Sequence, residues 1–330
     1  MRGRSPRPRN SPTLADIARA VGVSTATVSY VLNNKQVNRI SATTRARILA
    51  AAKTFHYKPD PRAVSLATGR TRVIAVYFPQ ALEHALDDIH SGQVLRGIVQ
   101  KCALADYAVQ VLSSAHDLSS CPADGWITVF SSEKPALLNG KNIVHLEPSS
   151  QSGSSGLRAD HTGAGRLLGG HLRSSARKVL LVRPQTLSAL AHIQKVRFDW
   201  LTAHLDTAVR IDTCEGKTEE STAELAARAV RSARDVGYDT LVAAQDDLGA
   251  SLISELLSVG IRVPGEIQVA AFGMTGYQPI CRPPLTTVDP GMQELGYRAA
   301  SQLIAKLEKS GSKAIYGSPK PQLVKGGSTR

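Results

Sequence analysis

Apolar positions at helical spacing open the chain. Leu14, Ile17, Ala18 and Val21 fall on one face of a helix, with Thr13 placed to cap its start and Asp16 suited to the positive end of its dipole. Gly22 breaks the run and Ser24 restarts it; Val28, Val31 and Leu32 then form the apolar side of a second short helix. Thr25, Ala26, Ser29 and Tyr30 occupy its other side. After the polar loop NNKQVNRIS, a third helix is predicted from about Thr43 to Phe55. Ile48, Leu49, Ala52 and Phe55 make its core stripe, with Arg45, Arg47 and Lys53 outside. Pro59 and Pro61 stop it. Arg62–Ala67 could add about one and a half helical turns, ending near Gly69, too short to be stable until something packs against it.

From residue 72 the pattern changes to short apolar runs alternating with helical stripes. Strands are predicted at Val73–Phe78, Ala108–Leu112, Trp126–Phe130, Ile143–Leu146, Val179–Val182, Thr240–Ala244 and Ile267–Phe272. Helices are predicted at 92–105, 163–174, 193–206, 219–235, 247–259 and 291–309. Such alternation predicts open parallel sheets with helices on both faces, an α/β fold behind an all-α head. The connection from Leu112 to Trp126 is too short for a loop, a helix and a second loop, which leaves one sheet face thinly covered.

Charge sharpens this division. Of the net +13, residues 1–72 carry +12, from fourteen basic side chains and only Asp16 and Asp60; the rest of the chain carries +1. A positive field confined to a three-helix head points to a polyanion, and nucleic acid is the usual one. Two short helices joined by a glycine turn form a helix-turn-helix, whose second helix reads the major groove. The small and hydroxyl-bearing residues of that helix allow close approach to base edges and phosphates.

The strings TLADIARAVGVSTATVSYVLNN and ISATTRARILAAAKTFHYKPDPRAVSLATGRTRVIAV resemble the headpiece and hinge of the lac-repressor (LacI/GalR) family of bacterial transcription regulators. The resemblance implies a basic tail at 1–12, a helix-turn-helix headpiece at 13–58, a hinge at 59–71 and a core at 72–330. It implies a periplasmic-binding-protein-like core of two doubly wound parallel-sheet subdomains. One spans about 72–160 plus 289–317, the other about 161–288 plus 318–330. It further implies a homodimer that reads a pseudo-palindromic, double-stranded operator, and a small-molecule effector, a sugar or other metabolite, in the cleft.

By the same resemblance Thr25, Ala26, Ser29 and Tyr30 face bases. Leu14, Ser24, Thr27, Asn33, Ser41, Thr44 and Tyr57 touch DNA backbone or buttress the reading helix. Ala63 faces the partner hinge and Leu66 wedges into a minor-groove base step. The family commonly has Arg at the position of Tyr30, where an Arg would grip a guanine edge. It usually has Asn at the position of Asp60.

In the core, Asp160 lies in RADHTGAGRLLGGHL, similar to the family's Asp-led segment opening a helix. Arg197 matches an Arg that commonly holds effector hydroxyls or carboxylate, and Gln245-Asp246 stands where the family has Asn-Asp. PPLTTVD is the expected crossover strand. Gly273 replaces an acid that typically grips sugar hydroxyls, so the effector is expected to differ from a sugar or the cleft to have lost its ligand.

Other chemistry finds no support. Cys102, Cys121, Cys214 and Cys281 are far apart, without zinc or disulfide spacing, and nine histidines are scattered, His161 and His171 ten apart. SGSSG lacks the nucleophile-elbow pattern and the glycines at 163–170 lack dinucleotide spacing. No cofactor, metal site or catalytic constellation is expected, and the chain is read as no enzyme. No stretch approaches a membrane span and MRGRSPRPRNSP has no apolar h-region, so a cytoplasmic, nucleoid-associated protein is expected. No heptad segment follows Leu307, which favours a dimer over a coiled-coil tetramer. The competing readings are a ligand-independent regulator or architectural DNA binder with a degenerate cleft, and a small-molecule receptor or enzyme with an incidental basic head.

Overall fold

The computed structural model describes residues 12–32, 39–57, 61–78, 89–114, 120–130, 142–147, 156–186, 188–274, 276–308 and 317–330. Asn33, Asp60, the tail before Pro12 and the middle of the Leu112–Trp126 connection lie outside these residues. The chain divides into two compact units, Met1–Thr71 and Arg72–Arg330.

The first unit holds α1 (Leu14–Val21), α2 (Thr25–Leu32), α3 (Ala42–Thr54) and α4 (Pro61–Thr68). Thr13 and Asp16 form a capping box on α1, and Gly22 ends it in the left-handed region at φ 72°, where a side chain would be strained. Ile17, Ala18, Val21, Val28, Val31 and Ile48 form one buried cluster, so each short helix is held by the other two. Burial of each Val or Ile contributes about 1.5–3 kcal/mol. The predicted stripe of α3 needs correction: Ile48 is buried and Ala52 half-buried, but Leu49 and Phe55 are exposed. A three-helix head this small has room for only a narrow contact along α3. Arg47 is exposed, as expected, and its guanidinium donates to the Val21 carbonyl at 2.9 Å, tying α3 to the end of α1. Pro61 opens α4 at a first-turn position, where its missing N–H removes no helical hydrogen bond.

The second unit begins with β1 (Val73–Tyr77), α5 (Ile89–Leu104), β2 (Ala108–Leu112), β3 (Gly125–Val129) and β4 (Ile143–Leu146). These strands form an all-parallel sheet in the order β2-β1-β3-β4. Then follow α6 (His161–Leu172), β5 (Lys178–Arg183), α7 (Ser188–Thr202), β6 (Arg210–Glu215), α8 (Thr222–Val236), β7 (Thr240–Ala243), α9 (Asp246–Ser258), β8 (Gln268–Phe272) and β9 (Thr286–Asp289). The chain closes with α10 (Met292–Glu308) and β10 (Gln322–Val324). The second sheet has the order β10-β9-β8-β7-β5-β6, and only β10 runs antiparallel. It is therefore mixed rather than wholly parallel.

Strand alternation sends side chains to both faces of each sheet. Ile74 and Val76 join Val94 of α5 and Leu303 of α10, while Ala75 and Tyr77 face Leu112 and Trp126. Tyr77, Leu112 and Trp126 are buried, so that face is not thinly covered. In the larger sheet Leu180 and Leu241 pack under α8 and α9, and Leu181 and Val242 pack under α6 and α7. α10 returns to the four-stranded layer and lies on α5, where Gly97 and Gly296 let the backbones touch. A Cβ at Gly97 would stand 1.9 Å from the Gln293 carbonyl oxygen, and one at Gly296 would stand 2.1 Å from that of Val94.

The predicted strands and most helices fall within a residue or two of the observed ones; α7 starts earlier, at Ser188. The pattern missed β6 and β10. Both are edge strands, and their residues are mostly half-buried or exposed, so neither carries an apolar run. No described helix is long and apolar enough to cross a membrane.

Candidate nucleic-acid interface and core cleft

The head presents α2 to solvent along one side. Val28 and Val31 are buried, while Thr25, Ala26 and Tyr30 are exposed and Thr27 and Ser29 half-buried. Tyr30 is 39% exposed, with its ring free of the core cluster. Ser24 Oγ accepts the Thr27 N–H at 3.1 Å, and Ser41 Oγ accepts the Thr44 N–H at 3.2 Å. Each serine also shares a hydroxyl contact of 2.9 Å with its threonine. The helices α2 and α3 therefore begin alike, with a hydroxyl cap and no acid in the first turn. The first turn of α1 does carry an acid, Asp16. Helix starts without a carboxylate keep their positive ends open to an external anion such as phosphate.

Leu14 and Tyr57 are half-buried against the three-helix cluster, a buttressing position. Asn33 lies outside the described residues. On α4, Ala63 is exposed and Leu66 is 91% exposed, the most exposed large apolar side chain described. A lone leucine so placed gains nothing in water.

Open parallel sheets of this kind usually bind ligands at the carboxyl ends of their strands; in the core a cavity is lined by His90, Gln93, Gly273, Met274 and Asp289. Beside it Arg197 of α7 is only 1% exposed and sits among buried polar side chains. Its Nε donates to His161 Nδ1 at 3.2 Å and its Nη1 to His90 Nε2 at 3.2 Å. The guanidinium carbon stands 5.6 Å from the Phe272 ring centroid. His161 Nε2 in turn meets Glu147 Oε1 at 3.1 Å, and that oxygen also accepts the Ala159 N–H at 2.6 Å. A guanidinium can only donate, so both ring nitrogens facing it must accept. His161 then carries its proton on Nε2 and donates it to Glu147. A buried positive and a buried negative charge are thus joined through a neutral imidazole. Burial, reinforced by Arg197, holds His161 below the ordinary histidine range, although Glu147 pulls the other way.

The sequence-predicted residues of the cleft separate. Asp160 caps α6, its Oδ1 accepting the Gly163 N–H at 2.7 Å and the Thr162 hydroxyl at 2.8 Å. Gln245 makes no side-chain cap bond at the start of α9, and Asp246 is fully buried behind it. Gly273 adopts φ 119°, and a Cβ there would stand 2.8 Å from Asp246 Oδ1. Asp247 is raised above the ordinary carboxylate range by burial, with Asp246 adding to the rise and His90 opposing it.

Sequence reasoning missed His90, Glu147 and Asp247. Only the adjacency of Asp160 and His161 hinted at polar clustering here. The backbone gives a further sign: Glu147 follows β4 at φ 46°, a left-handed conformation uncommon for a branchless acid and typical of strained functional positions.

A capped helix-turn-helix with a solvent-facing second helix, on a chain with a two-sheet α/β core, defines a DNA-binding regulatory protein with a ligand-binding type of core. The head carries a LacI-family DNA-binding domain and the core a periplasmic-binding-protein-like domain. Residues 13–60 match the family described as bacterial regulatory proteins, lacI family, and residues 173–329 match the periplasmic binding protein-like domain. An HTH-type transcriptional regulator of Mycolicibacterium smegmatis is 26% identical, over 91% of this chain and 92% of that protein. Catabolite control protein A of Staphylococcus xylosus is 24% identical, over 86% and 89%. Among solved structures, the lac repressor dimer bound to operator and the anti-inducer ONPF superposes with a TM-score of 0.78 at 22% identity, over 97% of this chain and 99% of that one. A LacI-family regulator from Silicibacter pomeroyi gives 0.70 at 26% identity, over 97% and 100%.

Proposed function

We propose that this protein regulates transcription as a homodimer, most simply as a repressor in the bacterial cytoplasm, on a pseudo-palindromic operator. One α2 enters each half-site, with Thr25, Ala26, Ser29 and Tyr30 toward the bases. Ser24, Thr27, Ser41 and Thr44 lie toward phosphates, with Leu14, Asn33 and Tyr57 as supports. Ala63 and Leu66 of the paired α4 helices meet at the minor groove. The observation that carries this reading is the acid-free, hydroxyl-capped α2 with its small side chains exposed, in a region of charge +12. The lac repressor structure, described as a dimer bound to operator, supports the same arrangement.

The core sets operator affinity through the relation of its two sheet layers. Solved neighbours are described with cellobiose and with ribose. Here a small molecule would meet Arg197, Gln245 and Asp246, with Asp160 holding the start of α6. Gln194 Oε1 and Asp247 Oδ1 are buried without a hydrogen-bond partner, and a donor-bearing effector would satisfy such acceptors. One observation favours the ligand-independent alternative: the chain's own histidines already occupy two faces of Arg197.

The test is selection of fragmented genomic DNA by the purified protein at near-physiological salt. The expected result is a palindromic consensus of fixed spacing. Retention by charge alone, with no consensus, would overturn the reading.

A further inference from the structure

The polar chain in the cleft links the two sheet layers. Glu147 follows β4 and His90 opens α5, both in the four-stranded layer; His161 opens α6 and Arg197 lies in α7, both on the six-stranded layer. The sequence His90–Arg197–His161–Glu147 therefore crosses between the layers twice. Apolar packing follows the same path: Leu190 and Ile193 of α7 join the core cluster of the four-stranded layer, together with Leu157 and Ala159. Gln93 of α5 adds a hydrogen bond of 3.1 Å to the Met274 carbonyl after β8.

We propose that these four side chains are a built-in latch that holds the core closed without any small molecule, in the place where an effector would otherwise join the layers. This rests on the regulatory reading above. The resting state of the protein is then set by its own residues, and a ligand acts only by breaking the relay. The latch depends on proton positions. Arg197 needs an unprotonated Nδ1 on His161 and an unprotonated Nε2 on His90. A proton added to either ring turns an acceptor into a donor facing a cation. Glu147, Arg197 and His90 are the charged or titratable groups acting on His161, and His90 also opposes the rise of Asp247. The relay also explains why a fully buried Arg can persist: its charge is balanced through His161 by Glu147.

The experiment uses the full chain, dialysed free of small molecules, and follows small-angle X-ray scattering together with affinity for the operator found by genomic selection. Glu147→Gln keeps the shape and the acceptor for Ala159 but removes the balancing charge. Arg197→Lys keeps the charge but loses the fork that reaches two rings. The wild type is expected to stay compact. Both variants should open the core and change operator affinity by about 5- to 150-fold, the usual range of coupling between sites. The wild type acidified past the depressed range of His161, so that its ring gains a second proton, should open likewise, which keeps the proposal testable if a variant does not fold. Scattering curves and affinities identical to wild type in both variants would overturn the latch. A wild type with no specific DNA site would sink the regulatory reading instead, while the scattering comparison would still decide the latch.

Discussion

The Nε of Arg197 lies 3.2 Å from Nδ1 of His161, so a guanidinium dictates which imidazole nitrogen holds the proton. Burial and Arg197 together lower the affinity of His161 for a second proton. In the unfolded chain His161 regains its ordinary value near 6.5. The unfolded state then binds more protons between the two values, so stability rises with pH through that window. The contribution is complete above about 6.5 and is lost as pH falls toward the folded value. Thermal unfolding of the full chain should show stability declining below pH ~6.5, and His161→Gln should flatten that decline. An equally steep decline in the variant would remove His161 as its source.

Leu66→Ala should weaken operator binding by tenfold or more, about 1.4 kcal/mol, while nonspecific binding stays nearly unchanged. The side chain is 91% exposed, so its removal should leave the thermal stability of the protein intact. Fluorescence anisotropy on operator and on scrambled duplex measures both affinities. Equal losses on the two duplexes would mean that Leu66 does not wedge into DNA.

Tyr30→Arg should move the preferred base pair at one half-site position toward guanine. A bidentate Arg discriminates by about 1–3 kcal/mol, which a phenol cannot match. Repeating the genomic selection with the variant reads this directly. An unchanged consensus would show that Tyr30 faces no base.

Gly97→Ala should destabilise the core by about 1–3 kcal/mol or more, because the new Cβ would meet the Gln293 carbonyl at the crossing of α5 and α10. Gly170→Ala on α6 is the matched control. Nothing lies within 4 Å of its Cβ, and alanine favours a helix interior by about 0.5–1 kcal/mol. Melting temperatures should therefore move in opposite directions. A fall of similar size in both would point to a backbone effect common to the two sites rather than to the crossing.

Gly273→Asp, which restores the acid common in the family, should fail to create a sugar site. The residue sits at φ 119° and its Cβ would come 2.8 Å from Asp246 Oδ1, so two buried carboxylates would compete for one place. Calorimetric titration with cellobiose or ribose should give no heat beyond dilution, and the melting temperature should drop. Tight sugar binding by the variant would show that Asp246 yields its position.

The head was legible because its determinants are local. Thr13, Asp16, Gly22 and Ser24 mark helix ends by their own hydrogen-bonding and backbone preferences, and these interactions reach no further than four residues. Leu49 and Phe55 misled because a helical stripe shows which face could be buried, not how wide the contact is. The central strands were legible for a related reason. Val179–Val182 and Val269–Phe272 are covered on both sides and so read as apolar runs, whereas β6 and β10 stand at sheet edges and do not.

By itself, then, the sequence determined the basic three-helix head, the solvent-facing side of α2 with Thr25, Ala26 and Tyr30, and the alternation that makes an α/β core. Only the tertiary structure decided the cleft. His90, Glu147, His161 and Arg197 come from four separate segments, and Asp160 turns out to be a helix cap. Periodicity records burial one element at a time. A polar relay between layers depends on the distances among elements far apart in sequence, which no local pattern carries.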